Sequence, residues 1–237
     1  MSALFHLYLC GRKAAEWLIY MKYRCLVFDH DDTVVNSTAT IHYPSFIDFL
    51  KLYYPEKAGC SLEEYFLFNF EPGFIETCRD EYGMTEEILE QEVEFWLKYV
   101  SSHIPEAYPG IRELMWEQRE NGGKIAVISH SMKYNILRDY KENGLPEPDL
   151  VFGWEEPPEH RKPMAWPMEQ VLQTFGLRPD EVLMIDDLKP GYDMAEKTDV
   201  DFAAAGWAND IAKIEKFMRD NCSNYFKTVK ELSDFLR

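Results

Sequence analysis

Hydrophobic positions along this chain follow two rhythms. Short runs, apolar but for a leading Lys124 or Asp149, stand at Cys25-Leu26-Val27-Phe28, Lys124-Ile125-Ala126-Val127-Ile128, Asp149-Leu150-Val151-Phe152, Val182-Leu183-Met184-Ile185 and Phe202-Ala203-Ala204. Runs this short, without polar alternation, read as strands buried on both faces. Between them apolar residues recur every three or four positions, the helical spacing. Pro44 opens one helix, and Ser61 with Glu64 forms a capping box for a second. Pro72 starts a third that Gly83 ends, and Thr85 caps a long one through Ser101. Further helices run to about Asn121, from Met132 to Asn143, from Pro163 to Phe175 and from Thr228 to Leu236, with glycines closing the first three.

Strands alternating with helices predict an α/β fold, a doubly wound, Rossmann-like parallel sheet covered on both faces. The stretch 38–107 is different. It carries 14 acidic residues against four basic ones, together with 14 aromatics. Such a shift in composition predicts an all-helical cap domain inserted at 38–107 into a catalytic core built from 21–37 and 108–237. Residues 1–20 read as an N-terminal extension, with Met21 as the natural start of the protein.

Charge and cysteine usage narrow the partners. A net charge of −17 argues against nucleic acid and anionic membrane surfaces. No run of 18 apolar residues occurs, so no spanning helix is expected. The five cysteines (Cys10, Cys25, Cys60, Cys78 and Cys222) are scattered, lack zinc-site spacing and suggest a reducing, cytoplasmic compartment.

The candidate chemistry lies where the apolar runs stop. The first halts at Asp29-His30-Asp31-Asp32-Thr33, the second at Ser129 and the fourth at Asp186-Asp187, while Lys162 is expected to open a helix. Each alone reads equally as a surface turn. Together they stand at strand carboxyl ends or a helix start, which a doubly wound sheet gathers into one crevice. Carboxylates at i and i+2 can divide nucleophilic attack from proton transfer. An all-oxygen cluster of this kind suits a hard cation such as Mg²⁺ better than zinc.

These residues, Phe28-Asp29-His30-Asp31-Asp32-Thr33, Val127-Ile128-Ser129, Lys162-Pro163 and Met184-Ile185-Asp186-Asp187, resemble the four ordered motifs of the haloacid dehalogenase superfamily. The likeness is to its phosphatase-like members with a helical cap between the first and second motifs. It covers about residues 22 to 237 and is specific for the superfamily, not for a substrate. The resemblance implies Asp29 as nucleophile and Asp31 as acid and base, with Ser129 and Lys162 binding the phosphoryl oxygens. It also implies Mg²⁺ held by Asp29, the Asp31 carbonyl, Asp187 and Asp186. Asp193 could steady a metal-bound water or simply lie on a helix surface. The substrate implied is a small phosphorylated metabolite, and a monomer or a dimer would serve equally. A sugar phosphomutase shares this machinery, and a non-catalytic regulatory protein on the same fold is the third reading; it predicts loss of a motif residue, and none is lost.

Some positions depart from the pattern. Position 32, commonly Gly in the family, is Asp, which tolerates left-handed backbone better than most residues. His30 reads as a loop residue between the two acids, while His130 could touch substrate or simply begin the next helix. The aromatics from Tyr65 to Phe74 are expected to form the cap's own core, and Arg79 is the one cap cation marked for substrate contact.

Overall fold

The computed structural model describes residues 21–237. The expectation that Met21 is the natural start concerns residues 1–20, which lie outside the described part. Six strands form one all-parallel sheet: β1 (Cys25–Phe28), β2 (Lys124–Ile128), β3 (Leu150–Phe152), β4 (Val182–Asp186), β5 (Asp201–Ala205) and β6 (Asn224–Phe226), in the order β3-β2-β1-β4-β5-β6. This is the doubly wound order, which reverses between β1 and β4.

The unbroken apolar runs have a simple physical origin. Side chains of a strand point alternately to opposite faces, and here both faces are covered. Leu26, Phe28, Ile125, Val127, Leu183 and Ile185 face one core with α5 (Ile111–Glu120), α6 (Lys133–Glu142) and α10 (Val229–Leu236). Cys25, Val27, Ala126, Ile128, Val182 and Met184 face the other with α7 (Trp166–Phe175), α8 (Lys189–Thr198) and α9 (Ala212–Asn221).

Between β1 and α5 stand α1 (Tyr43–Tyr53), α2 (Leu62–Phe70), α3 (Phe74–Asp80) and α4 (Glu86–Ser101), the helical cap. The chain leaves and re-enters the core side by side. Asn36 N–H donates to Glu106 O at 2.9 Å, and Tyr108 N–H donates to Val34 O at 2.9 Å. Ser61 and Glu64 make the reciprocal capping box of α2, and Thr85 Oγ1 accepts from Ile88 N–H at the start of α4.

The cap's core holds Phe46, Phe49, Leu50, Tyr65, Cys78 and Leu89. The expectation for the aromatic run was too narrow, because Phe66 and Phe70 pack instead with Val27 and Ile128 on the sheet's second face. Phe70 also meets Phe217 of α9 edge-on at 5.2 Å. One side of α2 therefore belongs to the cap and the other seals it onto the core.

Two boundaries move. The third cap helix begins at Phe74, with Gly73 at φ 125° ahead of it, rather than at Pro72. The helix expected from Pro163 begins at Trp166, with Pro167 in its first turn, where a missing N–H costs nothing. Helix α9 and strand β6 were not foreseen. Cys25, Cys60, Cys78 and Cys222 are free thiols. No helix among the described residues is long and apolar enough to cross a membrane.

Glu92 on α4 is buried inside the cap, and burial pushes its carboxyl up to about 7 from 4.5, against the pull of His42. A carboxyl with a raised folded-state pKa stabilises the fold fully below its unfolded value, and that contribution is lost as pH rises towards the folded value. Glu92→Gln should therefore gain on wild type as pH rises from 4.5 to about 7, by on the order of 1–3 kcal/mol at most. Thermal melts across that range check this; a difference independent of pH contradicts it.

Candidate active site

The crevice opens where β1 and β4 run side by side. Phe28 lies opposite Ile185, which brings Asp29 level with Asp186 one residue on. The Asp29 N–H prolongs the ladder by donating to Ile185 O at 2.9 Å. Lys162 reaches in from the loop ahead of α7, correcting the expectation that it opens that helix, and its Nζ donates to Asp29 Oδ1 at 2.6 Å and Asp186 Oδ2 at 2.7 Å. None of these three side chains is more than 6% exposed.

Asp29, Asp186 and Asp187 bring one carboxylate oxygen each to within 4.8 Å of one another. Each is held in its own way. Asp186 Oδ1 accepts from Leu188 N–H at 2.8 Å, so both its oxygens have donors. Helix α8 passes so close that a Cβ on Gly191 would lie 2.2 Å from Asp186 Oδ2, which is why glycine stands there. Asp187 Oδ1 accepts from Thr33 Oγ1 at 3.2 Å, while its Oδ2 is buried without a hydrogen-bond partner. A buried orphan carboxylate oxygen beside two more carboxylates is unfavourable unless positive charge joins it. This donor set fits a hard divalent cation, and Asp187 Oδ2 is the oxygen that would be free to meet it.

The electrostatics carry the same imprint. Burial pushes the Asp29 carboxyl up to about 7, and Asp186 and Asp31 add to this while Lys162 opposes it. Asp187 is raised further by burial and by Asp186, Asp32 and Asp29. Burial works against the Lys162 ammonium, yet Asp186 and Asp29 hold it above the usual lysine range.

Asp31 turns from this cluster towards the cap. Its Oδ1 accepts from Ser37 Oγ at 2.7 Å and from His42 Nε2 at 2.9 Å, and its Oδ2 accepts from Ser131 Oγ at 2.5 Å. Burial would raise its pKa, but His42, with further help from His30 and Ser131, holds it below the usual carboxylate range. Ser129 is buried at the end of β2, its Oγ accepting from Ser131 N–H at 3.2 Å. Asp32 has φ 58°, the left-handed turn a glycine would otherwise supply, and its carboxylate accepts from Thr38 N–H at 3.2 Å.

The remaining singled-out residues sit elsewhere. His30 is buried against Tyr140 with Nε2 at 3.1 Å from Asp139 Oδ2. His130 Nε2 donates to the Lys162 carbonyl at 2.8 Å and so steadies the loop that carries the lysine. Asp193 pairs with Lys189 at 2.8 Å on α8, and Arg79 pairs with Glu86 at 2.9 Å on the cap surface. The residues around Asp31 that sequence reading missed are Ser37, His42 and Ser131. Only Ser131 left a trace there, as a second hydroxyl two positions after Ser129.

A family model, haloacid dehalogenase-like hydrolase, matches residues 26–205. The chain belongs to that family. Among curated proteins, this hydrolase is similar to the pyrophosphatase PpaX of Bacillus cereus, 24% identical over 222 residues, covering 90% of this chain and 99% of the relative. Among solved structures, a haloacid dehalogenase-like hydrolase from Bacteroides fragilis superposes with a TM-score of 0.74 at 20% identity, covering 89% of this chain and 100% of that one. A Lactobacillus plantarum protein provisionally named phosphoglycolate phosphatase superposes with a TM-score of 0.68 at 19% identity, covering 90% and 99%.

Removing Lys162 from this hydrolase leaves Asp29 and Asp186 buried without their cation. Lys162→Met should cost about 3–5 kcal/mol at neutral pH in metal-free protein. Without the ammonium the Asp29 carboxyl is pushed up further, so the deficit should shrink as pH falls and protonation relieves the repulsion. Urea unfolding at pH 5 and pH 8 reads both effects; a deficit larger at pH 5 contradicts the pairing.

Proposed function

We propose that this hydrolase is a Mg²⁺-dependent phosphohydrolase that cleaves a small phosphomonoester through an aspartyl-phosphate on Asp29. The observation that carries the reading is the buried Lys162 ammonium against Asp29, with the orphan oxygen of Asp187 in the same cluster. A nucleophilic carboxylate, a fixed cation and an unpartnered carboxylate oxygen suited to a second positive charge are the parts that phosphoryl transfer needs, since positioning and charge stabilisation are most of its catalysis.

In the first half an Asp29 oxygen bonds to phosphorus while the bond to the leaving oxygen breaks, and Asp31 gives that oxygen a proton. In the second half water attacks phosphorus, the bond to Asp29 breaks, and Asp31 takes the water's proton. The three donors around Asp31 favour its ionised form, the state this second half requires. Ser129 and Lys162 bind the phosphoryl oxygens, and Lys162 offsets charge as the bond to phosphorus forms. Asp29, the Asp31 carbonyl and Asp187 would hold Mg²⁺, with Asp186, already paired to Lys162 and Leu188 N–H, supporting them. Bound there, Mg²⁺ would supply the positive charge that lets two anions approach.

The substrate reading is a small phosphorylated metabolite. Fourteen acidic residues against four basic ones in 38–107 favour a monophosphate with a neutral remainder over one bearing a second phosphate. The free thiols fit a cytoplasmic setting. A sugar phosphomutase would use the same groups, and release of inorganic phosphate rather than an isomerised ester separates the two.

A panel of phosphorylated metabolites, assayed for phosphate release, tests the reading. EDTA should abolish turnover and Mg²⁺ restore it, while Asp29→Asn should lower kcat by about 10³-fold or more. Turnover that survives metal removal contradicts it. Asp31→Asn with p-nitrophenyl phosphate should release one equivalent of nitrophenolate, whose departure needs no proton, and then stall. Steady release at the wild-type rate contradicts the role given to Asp31.

A further inference from the structure

Asp31 is tied to the cap through a residue chain that the mechanism above does not use. Trp96, on α4, places its Nε1 at 2.9 Å from His42 Nδ1, and His42 Nε2 lies 2.9 Å from Asp31 Oδ1. An indole N–H can only donate, so Nδ1 is the acceptor and the imidazole carries its hydrogen on Nε2. That hydrogen points at Asp31, and the direction of the whole chain is thereby set from the cap inward. The rings of Trp96 and His42 also pack together, with centroids 5.9 Å apart.

The far end of the chain is anchored independently. One helical turn beyond Trp96, the core residue Arg138 of α6 donates to Val100 O at 2.9 Å and to His103 O at 3.1 Å, gripping the carboxyl end of α4. Arg138 is itself held by Asp139 at 2.7 Å, and Asp139 contacts His30 of the catalytic loop at 3.1 Å. Two polar connections thus run between α4 and the loop that bears Asp29 and Asp31, and one of them ends on the Asp31 carboxylate.

We infer that His42 and Trp96 are positioning residues, which set the orientation of the Asp31 carboxylate towards the leaving oxygen. The inference rests on the phosphohydrolase reading and adds to it two residues, one of them on α4, that fix the acid's geometry. Neither side chain hydrogen-bonds to Asp29, Asp186 or Asp187; both act through Asp31.

The test separates this role from a merely structural one by the leaving group. The quantity kcat/KM reports steps up to departure of the leaving oxygen, and only a poor leaving group needs the proton. With Mg²⁺ present, glycerol 2-phosphate and p-nitrophenyl phosphate are compared on wild type, His42→Ala, His42→Gln and Trp96→Phe. His42→Ala should lose roughly tenfold or more in kcat/KM on the alkyl ester and less than about twofold on the aryl ester. Trp96→Phe, which keeps the ring and removes only the donor, should show the same bias more weakly. His42→Gln should recover most of the loss, because its amide can accept from Trp96 and donate to Asp31. Equal losses on both esters, no loss on either, or no recovery in His42→Gln while its thermal melt matches wild type would overturn the inference and leave the phosphohydrolase reading standing. Failure of the wild type to hydrolyse either ester would instead bring down that reading, and the inference with it.

Discussion

One buried ammonium governs this molecule. Lys162 lies between Asp29 and Asp186 with Asp187 beside them, all out of solvent. Isolated charges there would each cost several kcal/mol, and three carboxylates without a cation would repel strongly. The fold tolerates the cluster because every element around it supplies a partner. Leu188 N–H serves Asp186, Thr33 serves Asp187 and His130 fixes the lysine's own loop. One oxygen of Asp187 is left over, and burial pushes the Asp29 carboxyl up to about 7. Three carboxylates share this one ammonium, so the cluster is left short of positive charge.

The sheet makes this arrangement possible by geometry rather than affinity. Because β1 and β4 are neighbours at the reversal of strand order, two carboxylates more than 150 residues apart in sequence fall level with each other. Gly191 lets α8 approach Asp186 without a side chain in between. On the opposite side of the crevice the cap is no loose appendage, since Phe66 and Phe70 of α2 share the sheet's second core with Val27 and Ile128. Apolar contact holds that end of the cap, and hydrogen bonds from Arg138 hold the other. The polar chain from Trp96 to Asp31 spans the gap between them.

Some elements escaped sequence reading for identifiable reasons. Strand β6 has three residues, all half-buried at the sheet's edge, too short to register as a run. Helix α9 is dense with charge, and its buried face rests on little more than Ile214 and Met218. The helix after Lys162 starts at the second of two nearby prolines, a choice that local propensity leaves open. Tyr65, Phe66 and Phe70 read as one aromatic stripe, yet neighbouring positions on one helix face different cores. His42 gave no signal, because an isolated histidine thirteen residues from Asp29 looks like any other.

By itself the sequence determined the order of the first five strands and of most helices, the carboxylates at the strand ends and the left-handed turn at Asp32. These depend on short-range causes: the two-residue and 3.6-residue periods, capping side chains, and the backbone freedom of particular residue types. Tertiary structure alone decided which carboxylates share the lysine, which oxygen is left without a partner, and that Asp31 answers to a tryptophan in the cap. Those facts depend on distances between segments far apart in the chain, and no local pattern of polarity encodes where a folded sheet will bring them together.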